Sequence, residues 1–175
     1  LISRLLMTRC SMRLIFNKRS AVKNLSRINP DRFSASGNRP VNITQPDNSV
    51  IAHTYNKAGL PETVTARIRG AATWTDFVTN INYNEKGQRT DIYYGNSSKT
   101  KYEYDPETFR LTRLLTTRND GQDVLQDLNY TYDPVGNITQ VTDSAQQTFY
   151  FNNTVVAPTG TFVYDALYRL TSATG

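Results

Sequence analysis

The stretch that decides the fold is YTYDPVGNITQV, residues 130–141. Its two tyrosines lie two positions apart, so an extended strand would place both rings on one face. Asp133 can accept hydrogen bonds from the amides that follow it, Pro134 holds φ at about −65°, and Gly136 tolerates positive φ. Alternation resumes at NITQV, so the stretch predicts an antiparallel β-hairpin with a loop slightly longer than two residues.

Four other segments carry the same pattern, which makes the hairpin a repeating unit. The common form is an aromatic or apolar residue, any residue, Tyr, Asp or Asn, two residues, Gly, any residue, and then Leu or Ile followed by Thr. The Tyr spacings of 28, 21, 28 and 32 predict constant hairpins joined by loops of varying length. The segments are HTYNKAGLPET from His53, INYNEKGQRT from Ile81, YEYDPETFRLT from Tyr102, YTYDPVGNIT from Tyr130 and FVYDALYRLT from Phe162.

Two sets of residues recur at fixed places in these units, and both are predicted to have structural roles. The Asp position accepts Asn twice, and Asn cannot act as a general acid or base, so turn capping is favoured over catalysis. The turn set is Asn56, Gly59, Asn84, Gly87, Asp105, Asp133, Gly136 and Asp165. The strand aromatics are Tyr55, Tyr83, Tyr102, Tyr104, Tyr130, Tyr132, Phe162 and Tyr164.

Two units depart from the common pattern in their turns. Thr108 and Phe109 add one residue before Leu111, which predicts a longer loop or a bulge. Tyr168 replaces Gly at a place where positive φ would be costly for a bulky residue. The turn type is therefore expected to differ in both units. Upstream stretches rich in Gly, Asn and Asp predict the opposite turns of the same meander.

Composition points to a β protein and excludes several kinds of chemistry. Among 175 residues, 11% are aromatic and 38% are hydrophobic, which is typical of strands with one aromatic and one polar face. The single Cys, Cys10, allows no intrachain disulfide, and no zinc-type spacing exists. The one His, His53, stands where other units have an aromatic or Ile, so it is expected to fill that slot. No cofactor and no metal are expected.

The positive charge belongs to one end of the chain. Residues 1–40 hold nine Lys and Arg against one acid, a net charge of +8, while residues 41–175 hold eleven against fourteen, a net charge of −3. No nucleic-acid partner is therefore expected for the body of the protein. The basic segment 1–36 is interpreted as non-native sequence or as a disordered or helical segment. It shows no signal peptide, because Arg residues interrupt every apolar run.

These units resemble the tyrosine-aspartate (YD) repeats of the RHS family, through YEYD, YTYDPVGNIT and FVYDALYRLTSATG. The longer run from Asn80 to Asp143 resembles the B component of bacterial insecticidal toxin complexes. The likeness covers roughly residues 37–175. It implies an all-β fold in which consecutive antiparallel hairpins form part of a spiral β-sheet shell around a C-terminal toxin.

The resemblance also implies what this protein does and what it meets. Residues 37–175 would be a non-enzymatic fragment of a larger shell, secreted or at the bacterial surface. Its partners would be the remainder of the shell, the enclosed toxin polypeptide and other toxin-complex subunits. Two alternatives stay open: a carbohydrate-binding or adhesion module that stacks sugars on the Tyr rings, and part of an autoproteolytic toxin enzyme that uses the Asp series.

Overall fold

The computed structural model describes a strand at residues 33–36 and the whole of residues 39–175, and all regular structure in that part is β. The predicted all-β class is therefore confirmed. The predictions made for residues 1–32 lie outside the described residues. The strands are β1 (Phe33–Ser36), β2 (Arg39–Thr44), β3 (Val50–Tyr55), β4 (Pro61–Arg67), β5 (Thr75–Tyr83), β6 (Arg89–Tyr94), β7 (Lys99–Tyr104), β8 (Leu111–Arg118), β9 (Asp123–Tyr132), β10 (Ile138–Asp143), β11 (Phe149–Phe151), β12 (Thr154–Val156), β13 (Thr159–Tyr164) and β14 (Leu170–Thr174).

The chain divides into two compact units, with the boundary inside β5 after Thr79. In the first unit, β1 to β5 are neighbours in chain order, and each pair is antiparallel. β1 lies within residues 1–36, so the sheet includes four residues ahead of the boundary that the sequence suggested at residue 37.

In the second unit the strand order runs from β6 through β10 and then to β13 and β14, again with antiparallel pairs. β11 and β12 form a separate two-stranded sheet in the connection between β10 and β13. Consecutive hairpins form a meander in each unit, as predicted. The exposed aromatics Phe149, Tyr150 and Phe151 lie on β11.

One face of the second unit's sheet carries the buried hydrophobic side chains of β6, β7 and β8. Because side chains alternate along a strand, cross-strand partners form rows on one face. One row pairs Ile92 with Thr100 and Thr100 with Thr116, whose hydroxyls are 2.8 Å apart. The next row pairs Tyr102 with Leu114. These five side chains are at most 8% exposed, so this face is the core of the unit.

The opposite face carries ion pairs. Lys99 Nζ lies 2.7 Å from Asp91 Oδ1, and Lys101 Nζ lies 3.0 Å from Glu103 Oε1. Arg113 binds Asp127 through two parallel hydrogen bonds, of 2.6 and 2.9 Å. The second unit therefore has an aromatic and aliphatic face backed by a charged one, rather than the apolar surface of a sandwich half.

We predict that Ile92→Ala lowers the free energy of unfolding by about 2–5 kcal/mol, because it opens a cavity on the buried face. Ile92 is 1% exposed. Leu167→Ala is the matched control, since Leu167 is 71% exposed and should change stability by about 0.5 kcal/mol or less. Urea unfolding measures both values. Equal losses for the two variants would contradict this assignment of the core.

Candidate functional site

The β9–β10 turn is organised by the Asp133 carboxylate. Asp133 Oδ1 accepts hydrogen bonds from the amides of Gly136 and Asn137, at 2.7 and 2.8 Å, and Oδ2 accepts one from Asn137 Nδ2 at 2.8 Å. The Gly136 amide also donates to the Asp133 carbonyl, and the Asp133 amide to the Asn137 carbonyl. Gly136 has φ 107°. This is a three-residue hairpin loop that ends in a residue with positive φ.

The same cap recurs in the turns of the other four repeats. Asn56 Oδ1 accepts from the Leu60 amide, and Asn84 Oδ1 accepts from the amides of Lys86 and Gln88, all at 3.0 Å. Asp165 Oδ1 accepts from the amides of Leu167 and Arg169 at 2.9 Å. Asp105 Oδ1 accepts from the amides of Glu107 and Thr108, and also from the Thr108 hydroxyl. Each Asp or Asn is therefore bonded within its own turn, and Gly59 and Gly87 have φ 73° and 74°.

One expectation about the departing turns is wrong and the other holds. Tyr168 adopts φ 58°, and its amide donates to the Asp165 carbonyl just as Gly136 donates to Asp133. Its turn is thus of the same type, because the bonds around Asp165 hold a bulky residue in the left-handed region. The Asp105 turn is one residue longer, and there Phe109 takes the positive φ, 58°.

The turns that connect one hairpin to the next lie where the sequence predicted them. Two of them also combine residues of positive φ with Asp or Asn side chains that accept hydrogen bonds from turn amides. Asn48 and Ser97 have positive φ, and the Asp47 and Asn96 side chains accept hydrogen bonds from the amides two residues on. The β8–β9 turn uses positive φ at Asn119, Asp120 and Gly121.

At Tyr55, Tyr104, Tyr132 and Tyr164, the tyrosine before the Asp or Asn connects its hairpin to the preceding one. Its hydroxyl donates to a main-chain carbonyl at or next to the first residue of the neighbouring strand, where that strand leaves its own turn. The ring therefore lies across the strand pair, and its hydroxyl donates its hydrogen bond to the main chain rather than to solvent. The four such bonds are Tyr55 to Pro40 at 2.7 Å, Tyr104 to Arg89 at 2.9 Å, Tyr132 to Leu111 at 2.7 Å and Tyr164 to Ile138 at 3.0 Å.

The threonine of the Leu/Ile-Thr pair donates a hydrogen bond to a main-chain carbonyl at the bulge beside its turn. The pairing register shifts just before Tyr104 and Tyr164, and at the partner of Tyr132. There Thr112, Thr139 and Thr171 donate to the carbonyls of Glu103, Thr131 and Val163, at 3.1, 3.3 and 3.0 Å. The recurrent Thr is thus explained by a carbonyl that lies where the ladder is interrupted.

Sequence reasoning missed the residue that follows each turn. Arg110 donates to the carbonyls of Asp133 and Pro134, at 3.1 and 3.2 Å, and Gln88 Nε2 donates to the Phe109 carbonyl at 2.8 Å. Both side chains therefore contact the turn of the next hairpin. The sequence pattern that could have indicated these contacts is weak. A polar residue follows the positive-φ position in four of the five units, but its type varies among Gln, Asn and Arg.

Burial and hydrogen bonds shift the pKa values of several ionisable groups of the site. Burial raises the pKa of Tyr102 to about 12, against a smaller opposite effect of Arg89. The Thr108 amide and hydroxyl lower the pKa of Asp105, and the Arg169 amide is the largest influence that lowers the pKa of Asp165. Burial lowers the pKa of His53 below its ordinary value.

The described residues contain no cluster of metal-binding side chains. Among them, no three His, Cys, Asp or Glu side chains lie close enough to hold a metal ion. Within the same part of the chain, no helix has the length and hydrophobicity needed to span a membrane. The site that the repeats build is therefore a ladder of turns and tyrosines.

We predict that Tyr132→Phe lowers the free energy of unfolding by about 0.5–1.5 kcal/mol, because the part-buried Leu111 carbonyl loses its donor. The control is Tyr150→Phe, at a residue 69% exposed, which should have no measurable effect. Urea unfolding separates the two. A Tyr132→Phe protein as stable as the wild type would show that the ladder bond contributes nothing.

We predict that the stabilisation from the Asp133 carboxylate disappears in acid. Burial acts to raise the pKa of Asp133, but bonds from the Asn137 side chain and from the Asn137 and Gly136 amides outweigh it and hold the pKa below 3.8. Because the folded pKa is depressed, the contribution is complete above the unfolded value and is lost as pH falls through the folded one.

The measurement is the melting temperature of wild type and Asp133→Asn between pH 7 and about pH 2.5. The wild type should melt higher at neutral pH, and the difference should vanish at the acid end. Asp120→Asn is the control, because the Asp120 carboxylate accepts no hydrogen bond among the described residues, so this substitution removes no cap and should leave the melting temperature at neutral pH nearly unchanged. A difference for Asp133→Asn that is constant over this range would refute the capping role.

Comparison with known proteins gives matches in sequence and in structure, although no family model matches the chain. The toxin subunit YenC1 of Yersinia entomophaga is 42% identical over 102 residues, which are 56% of this chain and 10% of that protein. The subunit YenC2 of the same organism is 41% identical over 99 residues, 54% of this chain and 10% of that protein. The chain therefore spans about a tenth of the length of these relatives.

Solved structures of toxin complexes share the fold. A Tc holotoxin pore from Photorhabdus luminescens matches with a TM-score of 0.65 and 32% identity, over 81% of this chain and 6% of that one. TcdB2-TccC3 without its hypervariable C-terminal region matches with a TM-score of 0.63 and 34% identity, over 77% of this chain and 6% of that one. In sequence and in fold, this chain is thus related to subunits of toxin complexes.

Proposed function

We propose that this chain is a non-enzymatic wall segment of a toxin-complex protein of the RHS/YD-repeat type. Its hairpins would form part of a hollow, spiral β-sheet shell that encloses a toxic C-terminal polypeptide. The observation that carries the proposal is the tyrosine ladder. The hairpins of Tyr55, Tyr104, Tyr132 and Tyr164 are bonded to the preceding one at a fixed place, so hairpins can be added in sequence without a closed globular core.

The faces of the sheet support a wall rather than a compact domain. In the second unit, one face carries a thin layer of aromatic and aliphatic side chains, and the other carries the ion pairs of Arg113 with Asp127 and Lys99 with Asp91. Such a sheet needs little apolar content, which agrees with 38% hydrophobic residues in the whole sequence. A wall that contacts other protein on one side and solvent on the other requires one apolar face and one charged face.

The geometry favours this role over the two alternatives. Autoproteolysis would need paired or activated carboxylates, whereas Asp105, Asp133 and Asp165 lie in separate turns and each accepts bonds from its own turn amides. Sugar stacking would need free ring faces and free hydroxyls, whereas the Tyr55 and Tyr132 hydroxyls donate to main chain and both rings lie under an Arg guanidinium.

The partners follow from the proposal. They are the remainder of the shell, the enclosed polypeptide and other toxin-complex subunits, in an assembly that is secreted or held at the bacterial surface. The sequence suggested the B component in particular. The matched relatives are named YenC1 and YenC2, and the matched structures contain TcdB2 together with TccC3, so the proposal is made for the wall and not for one component.

The test is a chimera in which the matching residues of this chain replace those of YenC1. A wall segment should give a soluble chimera that still assembles and stays toxic, and electron microscopy should show a hollow particle. The matched control carries Tyr104→Ala and Tyr132→Ala in the inserted segment, and it should fail to assemble because two ladder bonds are missing. A chimera that folds but leaves a solid particle, or one that assembles equally well without the tyrosines, would reject the proposal.

A further inference from the structure

We infer that an Arg directly after a turn recognises the turn of the next hairpin, and that Arg at this place requires Gly in that next turn. The inference deepens the proposed function, since it concerns how the wall's hairpins select their neighbours. It assigns a specificity-determining role to Arg39 and Arg110, which lie outside the repeated Tyr-Asp motif.

Arg110 shows the contact in full. Its guanidinium donates through Nη1 to the Asp133 carbonyl and through Nη2 to the Pro134 carbonyl, and it lies 5.7 Å from the centre of the Tyr132 ring. A fork of donors that reaches two successive carbonyls recognises the shape of a turn rather than its side chains. The turn that it contacts is thereby held in one conformation.

The guanidinium lies where a side chain at position 136 would begin. A Cβ added to Gly136 would be 2.9 Å from Arg110 Nη2 and 3.1 Å from Cζ, so the guanidinium would have to shift from its position on the two carbonyls. Two features therefore favour Gly at position 136: its φ of 107° is one that Gly adopts easily, and Arg110 occupies the space that a side chain would need.

The first described hairpins repeat this arrangement. Arg39 lies 5.7 Å from the centre of the Tyr55 ring, and its guanidinium occupies the space that a Cβ of Gly59 would need. Arg39 and Arg110 hold equivalent places, each directly before the residue whose carbonyl accepts the tyrosine hydroxyl. In both cases the next turn has Gly at the positive-φ position.

The turns without Gly are preceded by shorter amide side chains. Gln88 precedes the turn in which Phe109 has positive φ; its Nε2 makes one bond to that turn, to the Phe109 carbonyl, and its Oε1 accepts a bond from Asn84 Nδ2. Asn137 precedes the turn of Tyr168, and its Nδ2 stays on its own Asp133. Leu60 precedes the turn of Gly87, so the requirement runs one way: Arg needs Gly, but Gly does not need Arg.

A pairing rule of this kind restricts which hairpin can follow which. A hairpin that ends in Arg fits a successor with a glycine turn and disfavours one with Phe or Tyr at that place. Since the hairpins of Tyr55, Tyr104, Tyr132 and Tyr164 share the tyrosine bond, that bond cannot distinguish them. Discrimination needs an element that differs between units, and the Arg/Gly pair supplies it.

The experiment is a double-mutant cycle on the full chain with Arg110→Gln and Gly136→Asn. Asn tolerates positive φ, so its main effect should be to displace Arg110. We expect Gly136→Asn to lower the melting temperature about twice as much with Arg110 present as in the Arg110→Gln background. Gly121→Asn is the control, because Gly121 has φ 92° and no atom within 4 Å of an added Cβ, so its effect should be the same in both backgrounds.

A second measurement does not depend on the stability of the Gly136 variants. In Arg110→Gln alone, the Gly136 and Asn137 amides should exchange with solvent about tenfold faster, as loss of a charge-assisted bond predicts. The Tyr168 and Arg169 amides should be unchanged, because no Arg precedes their turn. Additive effects in the cycle, or unchanged exchange at Gly136 and Asn137, would overturn the inference while leaving the wall function to be judged by its own chimera.

Discussion

The bond from the tyrosine hydroxyl to the preceding hairpin's carbonyl is the interaction on which the rest of the structure depends. It recurs at Tyr55, Tyr104, Tyr132 and Tyr164, with oxygen–oxygen distances of 2.7–3.0 Å. A two-stranded hairpin alone is marginally stable in water. The ring buries apolar surface against the neighbouring strand and the hydroxyl fixes the register, so each hairpin is stabilised and aligned by the one before it.

The turns supply the second constraint, since a tyrosine can reach its carbonyl only if every hairpin reverses at the same point. An Asp or Asn side chain holds the amides of each turn, and a residue of positive φ closes it. Tyr168 shows that this framework dominates local preference, because a tyrosine is held at φ 58°. A turn-capping role for these side chains follows, and it agrees with the presence of Asn at two of the five positions.

The tyrosine bonds and the turn contacts are consistent with the similarity of this chain to toxin-complex subunits. The chain covers about a tenth of the YenC relatives, so its hairpins correspond to a short part of proteins of that length. A large structure built from near-identical hairpins needs a common bond to join them and a variable one to order them. The tyrosine ladder has the first property, and the residue after each turn has the second.

The sequence by itself determined the β class, the five hairpins, the turn residues and the aromatic positions, because strand alternation and turn chemistry are local and repeat five times. It did not give the tyrosine acceptors, which lie 15–26 residues earlier in the chain. It also missed the contacts of Arg110 and Gln88 and misjudged the Tyr168 turn. Those features depend on which strands become neighbours and at what register, and only the folded sheet brings the partner atoms together.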